Sequence, residues 1–183
     1  MDLHIAASLV PLLGWAVHGS ILTHRLASAR RDPLTGLHTR AGWTARAEHL
    51  IRRHPTAVVL LVDLDHFKTL NDTHGHAAGD AALIATADRL RTWCGRNGTA
   101  GRLGGDEFVA VVQDLAAADL DALTTALHRP LHFGGKSVPL SASVGTCALA
   151  ELPIPALTDA LAAADAAMYA AKGRSRRGSR TSR

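Results

Sequence analysis

Two apolar runs stand out along the chain: Val58-Val59-Leu60-Leu61-Val62, and Phe108-Val109-Ala110-Val111-Val112. Each is long enough for a buried strand and short for a helix. Carboxylates sit at one end of each. Asp63 and Asp65 follow the first run, and Asp106 and Glu107 precede the second. Burying an unpaired carboxylate is costly, so the economical place for Asp63, Asp106 and Glu107 is a rim facing a cation. Hard divalent cations prefer oxygen ligands, and Mg²⁺ typically takes one or two carboxylates plus substrate phosphates. Gly104 and Gly105, just before the second acidic pair, allow a tight turn and close approach of a ligand to backbone. The pattern predicts a metal-dependent, phosphate-handling site on two neighbouring strands.

The remaining elements follow from periodicity and breakers. Pro33 and Gly36 make the stretch Asp32 to Arg40 a turn-rich junction. Thr39 is placed to cap a helix running through Arg53, which Pro55 ends before the first core strand begins near Ala57. A short helix is predicted over Phe67 to Asn71, a turn over Thr73 to His76, and a helix over Ala77 to Trp93 with Leu83, Ala87 and Leu90 on one face. Gly95 to Gly101 reads as loose, and Gly104-Gly105 as a hairpin tip. Then come a helix over Ala116 to His128, a turn at Gly134-Gly135, one strand over Val138 to Leu149, bent at Gly145, and a last helix over Pro155 to Lys172. The order fits an α/β (α+β) domain: a ferredoxin-like palm whose central, mainly antiparallel sheet is flanked by helices, preceded by an N-terminal helix.

Leu3 to Thr23 carries no formal charge, and His24, Arg25, Arg30 and Arg31 follow it. About 20 such residues span a hydrocarbon core, and the trailing cations would keep the C-terminal side cytoplasmic. The segment 1–31 is therefore expected to be an inner-membrane anchor. A soluble dimerising helix is the alternative, with the protein then soluble and cytoplasmic. A cleaved signal is disfavoured because no positive region precedes the apolar run. Residues 32–176 form the predicted catalytic domain and 177–183 a basic, flexible tail.

Composition adds little against this. A 47% apolar and 20% charged chain suits a globular protein. The net charge of +4 gathers near the first apolar segment and at the C-terminus, and aromatics are only 4%, so no nucleic-acid partner is expected. Cys94 and Cys147 are read as core thiols, and the spacing of His74 and His76 fits no metal pattern.

Five ordered motifs resemble the GGDEF family, the catalytic module of diguanylate cyclases. They are Asp32-Pro33-Leu34-Thr35-Gly36-Leu37; Asp63-Leu64-Asp65-His66-Phe67-Lys68 with Asn71-Asp72, Gly75-His76 and Gly79-Asp80; Gly104-Gly105-Asp106-Glu107-Phe108; Ser141-Ala142-Ser143-Val144-Gly145; and Ala164-Asp165-Ala166-Ala167-Met168-Tyr169-Ala170-Ala171-Lys172. The resemblance implies a nucleotidyltransferase that condenses two GTP into the signalling molecule cyclic di-GMP and releases two pyrophosphates. It implies a homodimer with one GTP per subunit and two Mg²⁺ (or Mn²⁺) per active site. Asp63, the Leu64 carbonyl and Glu107 would ligate metal. Asp106 would be essential, as ligand or as base near the 3′-hydroxyl. Asn71 and Asp80 would read guanine: a carboxylate accepts from its N1–H and N2–H donors, whereas an adenine edge would leave Asp80 facing a lone pair. Phe67, Gly104 and Gly105 would lie along the nucleotide, and Lys68, Lys172 and Arg176 would bind phosphate.

The chain departs from the family pattern twice. Ser175-Arg176-Arg177 stands where Gly-Arg-Asn is usual, so Arg174 and Arg177 compete with Arg176 for its role. Gly95-Arg96-Asn97-Gly98 stands where many members carry an Arg-x-x-Asp product-inhibition pair, so no strong feedback is expected there. The alternative to an active cyclase is a silent GTP or cyclic-nucleotide binding module. The complete set Asp63, Asp80, Asp106 and Glu107 favours the enzyme.

Overall fold

The computed structural model describes residues 30–114 and 119–178, with side chains to residue 172. The predicted apolar helix at residues 3–23 and the tail beyond residue 178 lie outside the described residues. No helix among the described residues is long and apolar enough to cross a membrane.

The elements in chain order are β1 (His38–Thr39), α1 (Arg40–Ile51), β2 (Val58–Leu64), α2 (Phe67–His74), α3 (His76–Cys94), β3 (Gly98–Gly104), β4 (Glu107–Val112), α4 (Leu120–Leu127), β5 (Leu131–Phe133), β6 (Lys136–Val138), β7 (Ala142–Ala148), a 3₁₀ turn (Leu149–Glu151) and α5 (Leu157–Gly178). The main sheet has the order β1-β3-β4-β2-β7. Only the short β1–β3 pairing is parallel; β3–β4, β4–β2 and β2–β7 are antiparallel. Without β1, this is the predicted ferredoxin-like order. The β5–β6 hairpin stands apart as a small second sheet.

The sheet is covered on both faces, which explains why its central strands are nearly continuous apolar runs rather than alternating ones. Val58, Leu60, Val62, Leu64, Phe108 and Ala110 pack with Leu83, Ala87 and Leu90 of α3 and Leu123 and Leu127 of α4. Val59, Val109 and Val111 face the other way, onto Trp43 of α1 and Ala160 and Ala164 of α5. Both thiols are buried as expected, and burial pushes Cys94 up to about 12.

Four expectations need correction. Of the turn expected over Thr73 to His76, only Gly75 lies outside a helix. Residues 98–101, expected to be loose, belong to β3, beneath Trp43, whose Nε1 donates to the Thr99 carbonyl at 3.0 Å. The strand expected over 138–149 is two elements: Val138 closes the β5–β6 hairpin, and β7 starts at Ala142 after Pro139, which has no N–H to donate. Gly145 lies inside β7, paired with Leu61. The helix after residue 115 is described from Leu120, with Asp119 capping it by accepting from the Ala122 amide at 2.9 Å.

Candidate active site

The carboxylate-bearing ends of β2 and β4 meet. Asp63 and Glu107 are register partners across the antiparallel pair, and Ser143 of β7 is the partner of Asp63 on its other side. Directly opposed residues on antiparallel strands project to the same face. Asp63 lies on the same face as Val59 and Leu61, the α5 side of the sheet. Lys172 of α5 reaches it there, with Nζ donating to Asp63 Oδ1 at 2.6 Å. The Asp63 side chain keeps 17% of its exposure and Lys172 30%, so the pair is partly shielded rather than a surface contact.

Gly145 sets the approach of α5. A Cβ at this position would lie 2.0 Å from the Ala164 carbonyl oxygen and 2.5 Å from the Met168 nitrogen. No other residue lets the helix rest so closely on β7. From Met168 to Lys172 is one helical turn, about 6 Å. From the Gly145–Leu61 pair to the Ser143–Asp63 pair is two strand residues, about 7 Å. The two advances match, and the lysine arrives over the aspartate.

The signature turn follows the predicted hairpin. Gly104 and Gly105 have φ of 148° and 53°, in the region that favours glycine, and open space surrounds both. Asp106 is half-buried and Glu107 exposed. The Leu64 amide donates to the Asp106 carbonyl at 3.3 Å, tying the end of β2 to the tip. Arg102 braces the tip from beneath: Nε and Nη2 donate to the Gly105 carbonyl at 3.0 and 2.7 Å, and Nη1 to Asp32 Oδ1 at 3.1 Å. The same Asp32 oxygen accepts from the Thr35 amide at 2.8 Å and its hydroxyl at 2.6 Å. Burial pushes the Asp32 carboxyl upward, but the Thr35 bonds and Arg102 outweigh it and hold it below the usual range. The Asp32-to-Leu37 motif thus buttresses the turn.

A second clamp was not foreseen from sequence. Asp65 accepts from the Ser141 hydroxyl at 2.9 Å and the Ser143 hydroxyl at 2.7 Å, while its amide donates to the Ser141 carbonyl at 2.9 Å. This fixes the exit of β2 onto the entry of β7. His66 then takes the left-handed conformation, φ 56°, and starts α2. The signal in sequence was a serine at each of two alternate positions after Pro139, Ser141 just before β7 and Ser143 within it, but nothing in it pointed to Asp65.

The helix α2 carries three predicted residues. Phe67 is half-buried against the core, Lys68 is exposed and Asn71 half-buried. Asn71 packs onto Gly79 of α3, where a Cβ would lie within 2.9 Å of its side-chain carbon, so Asn71 sits beside exposed Asp80. The buried Oδ1 of Asn71 has no partner among the described residues. The structure thus gathers Asp63, Leu64, Asp106, Glu107, Gly104, Gly105 and Lys172 at one end of the sheet, and Asn71 and Asp80 at the α2–α3 junction. The Arg176 side chain lies outside the described residues.

Among the described residues no three His, Cys, Asp or Glu side chains converge as a metal cage. The donor set still fits a hard cation: two carboxylates on adjacent strand ends, facing one side, match the one or two that Mg²⁺ takes when substrate phosphates complete its shell.

A family profile described as "Diguanylate cyclase, GGDEF domain" matches residues 29–178. An uncharacterised 19.3 kDa protein of Streptomyces ambofaciens is 80% identical over 183 residues, covering both chains fully. The bifunctional diguanylate cyclase/cyclic di-GMP phosphodiesterase MucR of Pseudomonas aeruginosa is 36% identical over 177 residues, 87% of this chain but 25% of that protein. The crystal structure of a sensory box/GGDEF family protein from Caulobacter crescentus superposes with a TM-score of 0.72 at 36% identity, over 80% of this chain and 99% of that one. The chain therefore spans the whole of one relative and a quarter of another.

Proposed function

The chain belongs to the diguanylate cyclase GGDEF domain family, and from that premise we propose that it is an active cyclase condensing two GTP into cyclic di-GMP. Cyclic di-GMP synthesis is the activity the family supports in general. The observation that carries the reading for this chain is the Asp63–Glu107 pairing at the sheet end, with Lys172 on Asp63.

In the proposed reaction each subunit holds one GTP, and two subunits face each other. Each 3′-oxygen forms a bond to the α-phosphorus of the other nucleotide. The bond from that phosphorus to the bridging oxygen breaks, and pyrophosphate leaves with its electron pair. Two such steps close the ring. Asp63 and Glu107, with the Leu64 carbonyl, would hold two Mg²⁺ or Mn²⁺. Bound there, the metals neutralise phosphate charge and lower the cost of the attacking alkoxide. Asp106 stands at the tip as a further ligand or as the acceptor of the hydroxyl proton.

The lysine has three N–H donors. One is on Asp63; the others would meet phosphate, so that Lys172 would bridge carboxylate and nucleotide. Lys68, exposed on the first turn of α2, would add a phosphate contact, and Arg176 is the further phosphate-binding residue that the family pattern suggests. The Asp80 carboxylate would accept from the N–H edge of guanine, and Asn71, seated on Gly79 beside it, would complete the reading of the base. Gly104 and Gly105 leave the space above the tip open to the nucleotide.

Turnover of GTP by the wild-type chain separates this reading from a silent binding module. Asp63→Asn and Glu107→Gln should each lower the rate by at least about 100-fold, the scale of removing one charged transition-state contact. A chain that binds GTP but makes no product, when paired by a dimerising fusion, would identify the silent module instead.

A further inference from the structure

Like charges directly opposed across antiparallel strands repel. Asp63 of β2 and Glu107 of β4 are such a pair, and Asp106, next to Glu107 in the chain, adds a third acid at the same turn. One cation among the described residues is paired with this group: Lys172, whose Nζ lies 2.6 Å from Asp63 Oδ1. Asp106 and Glu107 form no ion pair among the described residues. Arg102, the other basic side chain at the turn, is bonded to the Gly105 carbonyl and to Asp32.

Lys172 reaches Asp63 from a fixed base. Met168, one turn earlier on α5, rests on Gly145 of β7, where a Cβ would lie 2.7 Å from that of Met168. The helix cannot draw back without losing this packing, so the ammonium stays beside the carboxylate. A charge held there has two effects. It offsets the repulsion between the facing acids. It also repels a divalent ion approaching the same carboxylate, because charges a few ångströms apart in partly shielded surroundings interact strongly. A triphosphate reverses the balance: it brings several negative charges, and its oxygens would accept from the lysine's remaining N–H donors.

On the reading of Asp63 and Glu107 as metal ligands, we propose that Lys172 makes metal loading conditional on the nucleotide. Without triphosphate, Lys172 serves as the counter-charge of Asp63 and keeps a divalent cation from settling on the sheet end. With triphosphate, the added negative charge outweighs the lysine, and the cation enters with the nucleotide. Lys172 is in this respect a positioning residue that acts on the metal through Asp63. Coupling of this kind is reciprocal, so the metal strengthens nucleotide binding by the factor by which the nucleotide strengthens metal binding.

The test titrates the full chain, free of nucleotide, with Mn²⁺ and follows the loss of the free-ion EPR signal. Lys172→Met should bind Mn²⁺ at least about tenfold more tightly than the wild type, the effect of removing one charge beside a divalent ion. Lys172→Gln, which keeps an N–H donor for Asp63 without the charge, should show the same gain if the methionine variant folds poorly. Lys172→Arg keeps the charge and should match the wild type. Adding Glu107→Gln to Lys172→Met should remove the gain, which places the extra ion at the sheet end. A substitution that merely unseated α5 would weaken the metal site, so the sign of the change separates the two roles. Equal or weaker Mn²⁺ binding by both neutral variants, or a gain that survives Glu107→Gln, overturns the proposal. GTP turnover by the same wild-type preparation is read separately. Turnover with no gain in the neutral variants overturns the lysine's role and leaves the cyclase reading standing; the gain without turnover supports the lysine's role and refutes the cyclase.

Discussion

Lys172 Nζ and Asp63 Oδ1 are 2.6 Å apart although 109 residues separate them in the chain. The contact exists because α5 lies against β7 and crosses onto β2, where the strand ends in its carboxylate. Lys172→Met leaves Asp63 partly shielded without its cation. It should cost about 1–2 kcal/mol, between the values for exposed and buried pairs. Adding Asp63→Asn should restore part of that loss. A double-mutant cycle by chemical denaturation reads the coupling; additive costs would show that the pair contributes nothing.

Gly145→Ala tests how the helix is seated. Its methyl would meet the Ala164 carbonyl and the Met168 backbone. Neither is a flexible side-chain tip, so α5 must move. We expect a loss of about 1–3 kcal/mol, the cost of overpacking, with cyclase activity falling further than stability explains. Denaturation midpoints and turnover measured on the same preparation check this. An alanine variant with unchanged activity would mean Lys172 need not sit where it does.

Asp65→Asn tests the second clamp. The carboxylate accepts from two hydroxyls, Ser141 and Ser143. An amide has one oxygen to offer and presents N–H donors in place of the other. Loss of one bond to a charged group should cost about 1.5–3 kcal/mol. Because the clamp holds the segment leading to Lys68 and Asn71, KM for GTP should rise in addition. A change in stability with KM intact would confine Asp65 to the fold.

Acid sensitivity is expected from Asp32. Its folded-state pKa is depressed below 3.8, so its contribution to stability is fully present above that value. It is lost as pH falls from there through the depressed folded pKa. Thermal unfolding followed from pH 5 downward should show Asp32→Asn less stable than wild type at the top of the range, with the gap closing as the wild type acidifies. A gap independent of pH would contradict the linkage.

Much of this was legible in the sequence, and the reasons are local. The runs at Val58 and Phe108 could only be buried strands, and the acids at their ends could only be rim groups. The register that makes Asp63 and Glu107 neighbours is that of the antiparallel β2–β4 pairing, in which the two apolar runs lie side by side. The strand β3 was hidden because Gly98-Thr99-Ala100-Gly101 has almost no side chain to carry an alternating pattern. It is a strand because Trp43 fills the space above it. The break at Pro139 is masked in the sequence because apolar Val138 and Leu140 flank it. The Asp65 clamp and the Asp32–Arg102 buttress depend on contacts 70 residues or more apart, which no local pattern encodes.

The most direct test is to pair the purified chain through a dimerising fusion, incubate it with GTP and Mg²⁺, and identify the products by mass spectrometry with a parallel pyrophosphate count. The account predicts cyclic di-GMP with two pyrophosphates per molecule, abolished by Glu107→Gln. A folded, paired protein that leaves GTP unchanged, or yields only a linear or mononucleotide product, would contradict it.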